Sequence, residues 1–345
     1  MRRTPRTVGA GRHVRTKDDH LTELYGLPAF TFPEERDSAG VTLPEADAVA
    51  WRIGYERGTG DERWKDTFER LCAAVDSARI RALIIGIWGD PEDTEPDEVV
   101  SAFLDARDRL TGLRSVYFGD ITDKECRISR IGQTDVTPLI ASCPALEEFS
   151  VRAGESYDRE GLHPLSFPRL RHDALRRLVV ESAGLRGHVL RGVGESELPA
   201  LEHLELWLGA RDDGGDGEIA DLAGILSGDR LPRLRSLALR NSEMQDEVAA
   251  AVGAAPVVAG LDVLDLSLGT LTDAGAEALL GGQPLTHLRK LDLHHNYLSE
   301  PMRQRVRNAL EPAGVEVDLD PSDAETEVDG DGVPVPSISV GPLTY

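Results

Sequence analysis

LRKLDLHHNYL, from Leu288 to Leu298, has leucines at its first, fourth, sixth and eleventh positions and an asparagine at its ninth. Leu291 and Leu293 fall on one side of an extended strand, because strand side chains alternate with period two. Leu288 packs as the chain enters that strand. Asn296 falls at the turn that follows, where an amide side chain can hydrogen-bond the backbone of adjacent coils.

The first six positions recur upstream. LRSVYF starts at Leu113, LEEFSV at Leu146, LRRLVV at Leu175, LEHLEL at Leu201, LRSLAL at Leu234 and LDVLDL at Leu261. IRALII from Ile80 fits the same frame. The successive starts are 33, 33, 29, 26, 33, 27 and 27 residues apart. A near-constant period of this length marks a stacked repeat protein. No coil can bury its apolar edge alone, and stacking supplies the missing face.

The segments between the strands are helical in pattern. DEVVSAFLDARDRL from Asp97 puts Val99, Val100, Phe103, Leu104 and Leu110 along one side. TDAGAEALL from Thr272 has a capping threonine and an inner face of Ala276, Leu279 and Leu280. DLAGIL from Asp221 is a shorter candidate, LIASC ends a short apolar helix at Cys143, and MRQRVRNAL follows Pro301, a good first-turn residue. The expected fold is α/β: a solenoid of the horseshoe type, with a parallel sheet on the concave side and helices on the convex side.

On these residues the chain resembles the leucine-rich-repeat superfamily, in particular the strand-helix subtype found in ribonuclease inhibitor. The resemblance spans roughly Ile80 to Leu310. HLTELYGLPAFTFP, AWRIGYE and SRIGQTDVTPLIASCPALEEF are also similar to an uncharacterised group of bacterial cytoplasmic leucine-rich-repeat proteins. That likeness implies a fold and no particular activity. The motif asparagine is kept clearly only at Asn296, which puts regular coil geometry in question elsewhere.

The chain divides accordingly. Residues 1–19, basic at the start and without an apolar stretch behind, read as a disordered leader rather than a secretory signal. Residues 20–79 read as an N-terminal cap with a degenerate first repeat. There VAWRIGY is a strand, and Trp64, Phe68, Leu71 and Val75 form a helical core stripe. Residues 80–319 are the array of about eight repeats, closing with VEVDL as a last strand. Residues 320–345, acidic and rich in Pro, Gly and Ser, read as a disordered tail. Three stretches look inserted on one rim: Gly119–Asp135, Arg152–Leu170 and Gly209–Glu218. The last has acids, but not the spacing of a calcium loop.

Composition narrows the function. The 345 residues contain 61 acids and 38 Lys and Arg, a formal net charge of -23. Such a surface repels phosphate backbones and anionic lipid, so nucleic acid and membrane are not the expected partners. The three cysteines, Cys72, Cys126 and Cys143, make neither a disulfide framework nor a metal pair and fit a reducing cytoplasm. No phosphate-binding loop, nucleophile elbow or H-E-x-x-H zinc motif is present. His294 and His295 point to opposite sides of a strand, and the remaining histidines are expected at surface or rim. No cofactor is implied, and an enzyme is not the leading reading.

The side chains between the apolar strand positions are the sharper target. They form a continuous strip, since neighbouring strands lie about 4.8 Å apart. The candidate partner-binding residues are Tyr117, Arg152, Arg177, Glu181, Glu205, Trp207, Arg240, Asp265, Asp292 and His294. Trp207 beside Arg and Glu is the type of anchor that dominates protein interfaces. The leading expectation is a cytoplasmic scaffold that binds a protein partner, itself a monomer. The alternatives are a small-ligand or hydrolytic site using Asp265, Asp292 and His294, and a structural subunit packing through its helices.

Overall fold

The structure is a computed structural model. It describes residues 19–54, 62–91, 94, 96–154, 164–322, 324, 326–328 and 334–338. Most of the expected leader, part of the Arg152–Leu170 insertion and much of the tail lie outside these residues.

Among the described residues, twelve strands form one sheet in chain order. They are β1 Glu23–Leu24, β2 Leu27–Thr31, β3 Ala50–Ile53, β4 Ala82–Ile85, β5 Ser115–Phe118, β6 Glu148–Ala153, β7 Arg177–Ser182, β8 His203–Gly209, β9 Ser236–Ser242, β10 Val263–Asp265, β11 Lys290–Asp292 and β12 Glu316–Asp318. The β1–β2 hairpin is antiparallel, and every later neighbour pairs in parallel. Helices α1 Trp64–Ala74, α2 Asp97–Ala106, α3 Thr137–Ser142, α4 Gly187–Glu195, α5 Ala223–Ser227, α6 Gln245–Gly253, α7 Asp273–Gly281 and α8 Glu300–Leu310 flank the sheet. The result is a solenoid-like α/β repeat architecture.

The register explains why the leucine pattern recurs. Trp51, Leu83, Val116, Phe149, Leu178, Leu204, Leu237, Leu264 and Leu291 are successive partners across nine strands. All nine are essentially buried. A second row runs through Ile53, Ile85, Phe118, Val151, Val180, Leu206 and Leu239. Both rows join one core with the inner faces of the helices. A slip of one residue in any strand would turn that strand's apolar set out of this core.

Asn296 does what the motif demands. Its amide donates to Leu266 O and Leu293 O at 3.0 and 3.1 Å and accepts from Leu271 N at 3.0 Å. Where the asparagine is missing, a glutamine arrives from farther along the chain. Gln245 donates to Leu239 O at 3.0 Å, and Gln133 donates to Arg152 O at 3.1 Å. These two glutamines thus take over part of the backbone bonding that Asn296 performs in its own coil.

Several expectations are revised. The Gly119–Asp135 stretch is not a projecting loop, since Ile121, Cys126, Ile128 and Ile131 are buried. Within the tail, Thr326–Val328 pairs with Pro334–Pro336, and Ile338 is buried against Ile128 and Ala183. His172 is not at the surface. It is buried, with Nε2 3.0 Å from Cys143 O and Nδ1 accepting from Leu175 N at 3.0 Å. His295 is buried as well. All three cysteines are buried. Among the described residues no helix is long and apolar enough to cross a membrane.

Candidate functional site

The strand positions that alternate with the buried rows carry the polar side chains. At the N-terminal end this face is covered. Leu21, Leu24, Tyr25, Leu27 and Ala29 pack on Ala50, Ala82 and Ile84. A buried carboxylate, Asp120, secures the cover. It accepts from Leu21 N at 3.2 Å and from Arg52 Nε at 2.8 Å. His20 lies between Asp120 and Glu125, 3.3 Å from each. Its hydrogen bonds to these two carboxylates raise its pKa to about 9. Tyr25 reaches Glu147 Oε2 at 3.1 Å.

Beyond this cover the face carries an ion network. Tyr117 donates to Glu181 Oε1 at 3.0 Å, and Arg152 bridges Glu181 and Asp123 at 3.4 and 3.3 Å. Tyr117 is buried and the Arg152 side chain is only 5% exposed, so neither is the free anchor the sequence suggests. Arg177 is the open one, with 42% of its side chain exposed.

Glu205 is the hub. Its Oε1 accepts from Trp207 Nε1 at 3.0 Å and from Arg240 at 2.9 Å. Its Oε2 lies 3.3 Å from His203 Nε2 and 3.5 Å from Arg177. Arg240 also reaches Ser267 Oγ at 2.9 Å and Asp265 at 3.4 Å, with its guanidinium 5.6 Å from the centre of the Trp207 ring. That is cation–π distance. Burial alone would raise the Glu205 carboxyl, but Arg240, His203 and Arg177 outweigh it and hold it well below its usual range. Burial keeps His203 below its ordinary value despite Glu205. Burial and the neighbouring Asp292 push Asp265 up against the pull of Arg240.

The third group lies on the last strands. Asp265, Asp292 and Asp318 are register partners on β10, β11 and β12. Lys290 Nζ donates to Asp292 Oδ2 at 2.8 Å, and His294 Nδ1 lies 2.6 Å from Asp292 Oδ1. Burial disfavours the Asp292 anion, yet His294 and Lys290 hold its pKa far below normal. Asp292, His294 and Asp318 bring potential ligand atoms within 4.8 Å of one another. Sequence reading placed Asp265 with this pair and missed Asp318. The alternation of VEVDL, in register with KLDLH, was the available signal. A groove of about 500 Å³ lies elsewhere, bordered by Thr272, Asn296, Tyr297 and Arg303, and holds none of the candidate residues.

The fold has a solved counterpart. The chain is similar to a Bacteroides fragilis protein of known crystal structure, with 25% identity and a TM-score of 0.67 over 79% of this chain and 74% of that one. No family model and no curated protein matches the chain.

Proposed function

We propose that the chain is a leucine-rich-repeat horseshoe whose concave face, from β6 onward, binds a protein partner in the cytoplasm. The observation that carries this reading is the state of Trp207. Its ring is partly exposed, hydrogen-bonded to Glu205 and lined by the Arg240 guanidinium. A large side chain already fixed in place loses little entropy on association, and tryptophan and arginine dominate interface energetics. Arg177 beside it supplies an accessible charge at the rim of this anchor. Buried thiols suit a reducing compartment.

Capture from cells with wild-type protein, Trp207→Ala and Arg177→Ala, compared by quantitative mass spectrometry, tests the reading. A partner held by wild type and weakened about thirtyfold by Trp207→Ala is the expected result. If every recovered protein is retained equally by all three baits, the reading fails. Arg240→Ala is the wrong probe, because it strips the counter-charge from Glu205 and Asp265 and perturbs the fold itself.

A further inference from the structure

We propose that Asp292, His294 and Asp318 form a binding site for one divalent transition-metal ion of the zinc class. The site stands apart from the Trp207 anchor and does not depend on the protein-binding reading.

The register builds it. Asp292 and Asp318 are direct partners on the parallel strands β11 and β12, and His294 follows Asp292 by two residues. Strands β11 and β12 thus supply two carboxylates, and the segment just past β11 supplies one imidazole, with ligand atoms no more than 4.8 Å apart. Zinc bonds to nitrogen and oxygen are about 2.0–2.2 Å long, so a central ion would reach all three once the 2.6 Å hydrogen bond between His294 Nδ1 and Asp292 Oδ1 opens to admit it. The donor set selects the metal. An imidazole ligand favours zinc and its neighbours over calcium or magnesium, and the absence of thiolate from the set argues against copper(I). Three protein ligands leave a coordination position for water or for a side chain of another molecule.

The surroundings fit. Lys290 Nζ holds one oxygen of Asp292, and Asp320 N donates to Asp318 Oδ1 at 3.2 Å. Hydrogen bonds of this kind orient metal-binding carboxylates. The charges fit too. Like charges directly opposite on neighbouring strands destabilise a sheet, and here three aspartates lie side by side on β10, β11 and β12. Arg240 answers the first and Lys290 the second. A divalent ion bridging Asp292 and Asp318 would offset the repulsion between these two register partners. The Lys290 ammonium is a competitor as well as a support, which gives the proposal a directional consequence.

The purified full chain is titrated with ZnCl2 by calorimetry and with CoCl2 by visible absorption. One zinc ion per chain and a cobalt d–d band are expected. Both are lost in His294→Ala and in Asp318→Asn, and both persist in His188→Ala, which removes an imidazole remote from the site. Lys290→Met binds zinc more tightly than wild type. Circular dichroism confirms that each variant is folded. The proposal is overturned if wild type shows no saturable uptake, if uptake survives in either ligand variant, or if His188→Ala abolishes it equally.

Discussion

Arg240 carries more of the candidate face than its place in the sequence suggests. It touches Glu205, Asp265, Ser267 and the Trp207 ring together. Replacing Arg240 with Met removes the cation that Asp265 pairs with and leaves Glu205 with Arg177 at 3.5 Å. Breaking such a pair on one side costs roughly 3–5 kcal/mol, and the loss is read from urea unfolding. The pH dependence follows in sign. Glu205 has a folded pKa well below its ordinary value. Its contribution to stability is full above the ordinary carboxylate range and is lost as pH falls through the folded value. In Arg240→Met the acid unfolding transition therefore moves to higher pH. His20 runs the other way. Its pKa is raised from 6.5 to about 9, so the clasp on Asp120 and Glu125 is complete below pH 6.5 and lost as pH rises through about 9. An NMR titration of the His20 ring with a midpoint near 6.5 would show that no clasp forms. The identity of the face residues was legible, because alternation alone assigns Glu205, Trp207 and Arg240 to one side. Their mutual occupancy was not, because pairing across strands depends on rotamers that no periodicity encodes.

The strands were the most legible elements and the helices the least. Two leucines at spacing two, repeated at each coil, fix a strand and its register together. Helix α4, GHVLRGVGE, is hidden because three glycines dilute its helical signal. The structure supplies their reason. A Cβ at Gly192 would lie 1.7 Å from Phe167 O, and one at Gly194 would lie 3.1 Å from Gly224 Cα. These glycines let neighbouring coils approach closely, at a cost of about 1 kcal/mol each in helix propensity. Gly192→Ala should lower the melting temperature despite alanine's better propensity, because backbone rather than a movable side chain fills the space. An unchanged or higher value would mean that α4 shifts freely against the preceding coil. In the buried row, Leu237→Ala should cost about 2–5 kcal/mol, measured by chemical denaturation. The asparagine substitutes Gln133 and Gln245 escaped sequence reading because they lie outside the repeat frame, entering each coil from the segment that follows the strand.

At the scale of the molecule, a net charge of -23 sets self-repulsion against local pairing. Added salt screens long-range repulsion between exposed charges, while largely buried pairs such as Arg240 with Glu205 are screened much less. Urea unfolding midpoints should therefore rise with moderate NaCl, and a fall would mean that attractive surface pairs dominate. The tail contributes here as well. Tyr297 Oη accepts from Ser337 N at 2.9 Å and donates to Ser337 O at 2.9 Å, and Ile338 is buried against Ile128. Composition weighs average apolarity and so does not register a contact such as that of the single Ile338 with Ile128 and Ala183. The sheet, finally, has two ends of different kind. One finishes in a hairpin that folds back on itself. Among the described residues the other is β12, whose backbone would offer a template to any strand of matching length. Two copies meeting there would press Glu316 and Asp318 against their own kind. Acid side chains at this margin would disfavour such pairing, and a variant neutral at both positions should form fibrils or oligomers more readily than the native chain.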